Sequence, residues 1–125
     1  MNGSRVQVSQ ESQLQNAIIS CSDSYCFDLW EARPMLNRLV QAIPKLRAYT
    51  DAFGHAQTIC GRVDAMVDIA LKDWDIAATQ LLVEEAGGQC HKIDQSDRYD
   101  YGFGLIFGSP ALVDILVDWF QELRI

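Results

Sequence analysis

The stretch from Asp64 to Gly88 limits the fold more than any other part of this chain. Ala65-Met66-Val67 is a short apolar run of strand character. A turn rich in carboxylates follows it (Asp68, Asp73, Asp75). Trp74, Ala77, Ala78, Leu81, Leu82 and Glu85 then recur at three- and four-residue steps, the spacing of one helical face, and Gly87-Gly88 ends the helix. A strand feeding through a tight turn into a helix is the repeating unit of an α/β sheet.

The remaining segments extend the same alternation. Val6 and Val8 alternate with polar neighbours as a half-exposed strand, and Ala17–Cys21 reads as a buried one. Pro34 opens a helix whose Leu36, Leu39, Val40 and Ile43 share a face. A brief strand follows near Leu46–Tyr49. Asp51 is expected to cap a helix carrying Phe53, Ala56, Gln57 and Cys60 until Gly61 stops it. Gln89–Ile93 and Tyr101–Phe107 read as strands. Ser109-Pro110 opens a last helix with Leu112, Ile115, Leu116, Trp119, Phe120 and Leu123 inward. The expectation is one α/β domain over residues 1–125: a mixed, mostly parallel sheet with helices on both faces. Asn2-Gly3 ahead of Val6 and Val8 is a hairpin signal with no strand before it.

With 49% hydrophobic and 22% charged residues, the 125-residue chain has enough apolar material for a core without staples. Ten Lys and Arg against seventeen Asp and Glu give a net charge of −7, the wrong sign for a phosphate-backbone binder or for docking on anionic membrane. No apolar run approaches the ~20 residues that span a bilayer. The polar first twenty residues lack the pattern of a signal peptide, so the cytoplasm is the expected location. Cys21, Cys26, Cys60 and Cys90 form no C-x-x-C pair and read as core or near-core thiols. His55 and His91 fall in no nucleophile or metal motif and read as surface or satisfied core histidines.

Ligands of α/β proteins sit at the carboxyl ends of strands beside helix N-termini. Asp75 occupies such a place. It can offer one oxygen to a hard cation such as Mg²⁺ while the other caps backbone N–H groups. A cap alone is the plainer alternative, worth ~1 kcal/mol to the helix.

Trp74-Asp75-Ile76-Ala77-Ala78 followed by Leu81-Leu82-Val83-Glu84-Glu85-Ala86-Gly87-Gly88 resembles the second signature of the inositol monophosphatase family, Mg²⁺-dependent enzymes of the sugar-phosphatase fold that include histidinol-phosphate phosphatases. Asp51-Ala52-Phe53-Gly54 and Gly61-Arg62-Val63-Asp64-Ala65 are similar to the preceding helix and strand in the histidinol-phosphatase branch. Arg5–Ser9 resembles the opening of the family's C-terminal half, and Phe107-Gly108-Ser109 with the final helix resembles its end. Thr50 departs from the glycine usual in that branch, and Asp94-Gln95-Ser96-Asp97 stands in place of the family's W-D-G turn.

The resemblance implies a metal-ligand role for Asp75 and a substrate-side role for Asp51, Ala52 and Asp68, with Lys72 in the loop facing the pocket. It implies Mg²⁺ as cofactor and a small phosphorylated metabolite as substrate. The family's loop glutamate and its Asp-Pro-Ile-Asp-Gly-Thr motif, which supply the other metal and phosphate contacts, do not occur in these 125 residues. Met1-Asn2-Gly3 aligns with the hand-over from the N-terminal half. The chain therefore reads as the C-terminal, substrate-side half of such a phosphomonoesterase. By itself it is expected to be inactive and to hold no complete metal site. The alternative is a stand-alone, non-catalytic module for association or ligand binding. On either reading the apolar surface left uncovered predicts a homo-oligomer.

Overall fold

The computed structural model describes residues 5–123. The elements run β1 (Ile18–Cys21), α1 (Ser24–Leu29), α2 (Arg33–Ala42), β2 (Lys45–Arg47), α3 (Asp51–Ile59), β3 (Ala65–Leu71), α4 (Asp73–Glu85), β4 (Gln89–Asp94), β5 (Phe103–Gly108) and α5 (Pro110–Glu122). The strands form one sheet in the order β2-β1-β3-β5-β4. β1 pairs in parallel with β2 and with β3, whereas β5 runs antiparallel to both β3 and β4. Four strands thus point one way and β5 alone opposes them, which is the mixed, mostly parallel sheet expected.

Helices cover both faces, and strand alternation decides which side chains meet which helices. On one face Ile19, Cys21, Ala65, Val67, Ile69 and Ile106 pack against Phe27, Met35, Leu39, Leu112, Leu116 and Phe120 of α1, α2 and α5. On the other, Met66, Leu105 and Phe107 meet Ile59, Ile76, Val83 and Ala86 of α3 and α4. β3, covered on both faces, is buried from Ala65 to Ala70. It is longer than the Ala65-Met66-Val67 run that sequence alone picked out.

Four expectations are corrected. Residues around Val6 and Val8 form no ladder among the described residues: a Val8 N–H to Ala86 C=O bond of 3.0 Å and the Ser9 hydroxyl bond to Asp64 tie them down, and Val8 is buried among the α4-side residues. Helix α1 was not anticipated; it is six residues long and held by Asp23, whose side chain accepts from the Cys26 N–H. Asp51 is the first residue of α3 and Thr50 its N-cap, while Lys72 is the N-cap of α4. The residues that share helical spacing on α3 and α4 are not the ones that meet the sheet. α3 buries Gly54, His55, Thr58 and Ile59, and α4 buries Ile76, Thr79 and Val83. Phe53, Trp74 and Leu81, members of those spaced sets, are 60%, 75% and 57% exposed. The Asn2-Gly3 signal lies outside the described residues. No described helix is long and apolar enough to cross a membrane.

Candidate functional site

β3 carries the site because its regular pairing breaks there. Between Asp68↔Leu105 and Leu71↔Phe103 it advances three residues while β5 advances two, a bulge that re-aims the strand end. Ala70 inside the bulge takes a left-handed backbone, φ 59°. Strand alternation from Met66 sets Asp68 on the side of the sheet covered by α3 and α4, and the turn after the bulge leads to Asp75 at the start of α4.

Asp68 is 5% exposed and doubly engaged. Ser22, just beyond β1, donates its hydroxyl to Asp68 Oδ1 at 2.8 Å and accepts the Ile69 N–H at 2.8 Å. His55 Nε2 of α3 lies 2.6 Å from Asp68 Oδ2, and its Nδ1 lies 2.7 Å from Thr79 Oγ1 of α4. The Phe107 ring meets the imidazole edge-on at 5.0 Å. One chain of polar contacts therefore joins β3, α3, α4 and the turn after β1 beneath an opening, in a place where any unmade bond would be costly.

Above it lies a cleft with two lobes. The larger, about 380 Å³, is walled by Ala52, His55, Ile59, Thr79 and Leu82; the smaller, about 260 Å³, by Ser22, Asp23, Cys26, Thr50 and Tyr101. Asp51, Asp68, Leu71 and Asp75 line both. Asp51 enters from the first turn of α3 in a left-handed conformation, φ 57°, uncommon for a residue with a Cβ. Asp75 is the third residue of α4, and its Oδ2 accepts the Lys72 N–H at 2.9 Å while its own N–H donates to the Lys72 carbonyl at 3.0 Å. That reciprocal pairing satisfies a free helix-end donor, and Oδ1 has no protein hydrogen-bond partner among the described residues. Among the described residues no lysine or arginine lines either lobe, so the cleft is acidic. The Cys26 thiol at its edge is pushed up to about 12 by burial and then by Asp23, and stays protonated at neutral pH.

The structure thus brings Asp51, Ala52, Asp68 and Asp75 to one cleft. Lys72 does not join them: its Nζ donates to the Asp100 carbonyl at 2.9 Å and sits 4.5 Å over the Tyr101 ring. Asp68 is a buried, bonded carboxylate and not a solvated strand end, and Asp75 works as the third helical residue and not as the N-cap. Sequence reasoning missed Ser22, His55 and Thr79. The one available signal was the Asp51/His55 spacing of four, which puts both on one side of a helix. Among the described residues no group of three or more His, Cys, Asp or Glu side chains gathers to hold a metal ion.

A mixed sheet with an acidic cleft at the carboxyl end of its central strand, beside a helix N-terminus, is an α/β ligand-binding architecture. The chain belongs to the inositol monophosphatase family, whose model matches residues 1–116. It is 31% identical over 113 residues to a histidinol-phosphatase of Chlorobaculum parvum, covering 90% of this chain and 43% of that protein. It is 36% identical over 95 residues to an inositol monophosphatase of Dictyostelium discoideum, covering 70% and 34%. A solved structure of a Thermotoga maritima IMPase superposes with a TM-score of 0.76 at 27% identity, covering 98% of this chain and 47% of that one. The chain spans less than half the length of these relatives. Proteins named Nus factor SuhB also match, at 26% identity in Escherichia coli, so the exclusion of nucleic acid read from net charge finds no support among the relatives.

Proposed function

We propose that this chain forms the substrate-side wall and one metal ligand of a Mg²⁺-dependent phosphomonoesterase acting on a small phosphorylated metabolite, and that it releases no phosphate by itself. The observation that carries the reading is the state of Asp75. One of its oxygens is committed to the helix end, the other is left without a protein partner among the described residues, and the residue lines a cleft shared with Asp51 and Asp68. Such an oxygen suits Mg²⁺, which takes one or two carboxylates among six oxygen donors. A bound Mg²⁺ would neutralise phosphoryl oxygens and acidify a water. In this chain Asp75 is the residue to hold it, Asp51 and Asp68 face the alcohol part of the substrate, and the apolar wall of Ala52, Ile59 and Leu82 excludes water beside it. One such carboxylate leaves most of the shell to donors that the described residues do not gather.

The test is phosphate release by the purified chain with millimolar Mg²⁺ across sugar, inositol and amino-alcohol phosphates. The expected rate is that of buffer. Release that disappears in Asp75→Asn overturns the reading.

A second reading, a module for self-association, is favoured by the outer face of α3 and α4, where Phe53, Trp74, Leu81 and Leu82 lie exposed. On either reading that face pairs with another body, and in the isolated chain the available body is a second copy.

A further inference from the structure

We propose that His55 is a positioning residue that fixes the rotamer of Asp68 at the floor of the cleft, working as the middle of a one-directional chain from Thr79 to Ser22. The inference rests on the reading of Asp68 as a substrate-facing group and adds the device that orients it.

The direction of the chain follows from counting donors. The Ser22 oxygen accepts the Ile69 N–H, so its own hydroxyl hydrogen is free to go to Asp68 Oδ1. An ionised carboxylate only accepts, so the 2.6 Å contact at Oδ2 requires the hydrogen on His55 Nε2. With a single ring proton, on Nε2, Nδ1 is an acceptor, and the donor set against it among the described residues is the Thr79 hydroxyl at 2.7 Å. A ring protonated at both nitrogens would donate to Thr79 instead and overturn the one-directional chain. Thr79 gives to His55, His55 gives to Asp68, and Ser22 closes the far side. Both carboxylate oxygens are gripped, from α3 on one side and from the turn after β1 on the other.

The consequence is geometric. An aspartate at a strand end has two easy rotations, and a carboxylate free to turn meets a substrate hydroxyl or amine in many orientations. Gripped at both oxygens, Asp68 keeps one, with its remaining lone pairs toward the cleft it lines. Thr79 holds the far nitrogen, so the angle between α3 and α4 enters the placement of a group on β3. The Phe107 ring packs against the imidazole in a T-shaped contact, centroids 5.0 Å apart. The nearby charged groups are Asp51 and Asp75 on the cleft side, and neither is hydrogen-bonded to the ring.

The test is carried out by NMR on the labelled 125-residue chain. Long-range ¹H–¹⁵N correlation should show His55 in the Nε2–H form, and the three-bond couplings of Asp68 should show a single χ1 rotamer. His55→Phe keeps the ring and removes both nitrogens, so it should average those couplings. His55→Gln, whose amide nitrogen falls near the place of Nε2, should restore most of the single-rotamer value. Thr79→Val should move the Nδ1 resonance to that of an unbonded imine and leave the tautomer unchanged. An Nδ1–H tautomer, or a single Asp68 rotamer retained in His55→Phe, overturns the proposal. If His55→Phe fails to fold, the tautomer and the Thr79→Val shift still decide it. The underlying reading fails separately: in an enzyme reconstituted with a relative's N-terminal half, Asp68→Asn would then leave KM unchanged while the NMR results stand. If the reading holds, KM rises about tenfold in both Asp68→Asn and His55→Phe with kcat within twofold.

Discussion

Replacing Gly54 by alanine separates two opposed effects cleanly enough to test the packing of α3. In a helix interior alanine is preferred to glycine by about 1 kcal/mol, so on propensity alone Gly54→Ala stabilises. The structure reverses the sign. A Cβ at residue 54 would overlap the carbonyl oxygen of Tyr49 outright and would stand 2.9 Å from Met66 Cε. The methionine end can swing aside. The carbonyl cannot, because the Tyr49 N–H and C=O both bond the Ser20 hydroxyl, at 2.9 Å each. Either α3 or the turn before it must retreat, an overpacking that costs about 3 kcal/mol once backbone has to move. Net of propensity, a loss of about 2 kcal/mol is expected, a fall of about 1 M in the urea midpoint for a chain of this size. Gly87→Ala is the control. Its φ of 84° is strained for alanine, but nothing lies within 4 Å of the added carbon, so its loss is limited to about 1 kcal/mol. A Gly54→Ala midpoint equal to or above that of the parent refutes the close approach of α3 to the Tyr49 segment, and with it the placement of Asp51 and His55 on the cleft wall.

Three further outcomes are expected. Leu81→Glu with Leu82→Glu should convert a self-associating chain to monomer in sedimentation velocity while changing urea stability by under about 0.5 kcal/mol per site, since both side chains are exposed; a parent that is already monomeric at micromolar concentration counts against the association face. Cys26 should alkylate slowly at pH 8 and faster as pH rises toward about 12, because burial first, and then Asp23, disfavour its thiolate; brisk labelling at pH 7 contradicts this. Trp30→Phe should cost about 3 kcal/mol, combining a cavity with loss of the 2.8 Å indole N–H bond to the Tyr101 carbonyl, and chemical denaturation followed by far-UV dichroism measures it.

Element types were legible because they depend on local chemistry. Gly61 and Gly87 both adopt the left-handed conformation that ends α3 and α4, and Pro34 and Pro110 sit in the first turns of α2 and α5. α1 was illegible for the opposite reason. Six residues carry too little periodicity to register, and what holds them is one aspartate cap and a buried Phe27. The carboxylates of the cleft could be named from sequence, but their states could not. Whether Asp68 is solvated or gripped depends on Ser22 and His55, 46 and 13 residues away, and contacts across the sheet leave no mark in local spacing. Lys72 failed likewise: its place in the turn was right, and the Asp100 carbonyl with the Tyr101 ring drew its ammonium elsewhere.

The packing of α4 is the most instructive difference, since it was the helix with the clearest pattern. Spacing shows that apolar residues share a face, not which face meets the sheet. α4 has two such faces: Ile76, Val83 and Ala86 on one side, and Trp74, Leu81 and Leu82 on the other. Met66, Leu105 and Phe107 fill the layer beneath the helix, and Ile76, Val83 and Ala86 complete it. Trp74, Leu81 and Leu82 are left outside. A helix apolar on both sides is the mark of one covered on both sides. The stripe that spacing picks out is therefore the same surface that supports reading this chain as part of a larger assembly, whether that assembly is completed by a different half or by another copy.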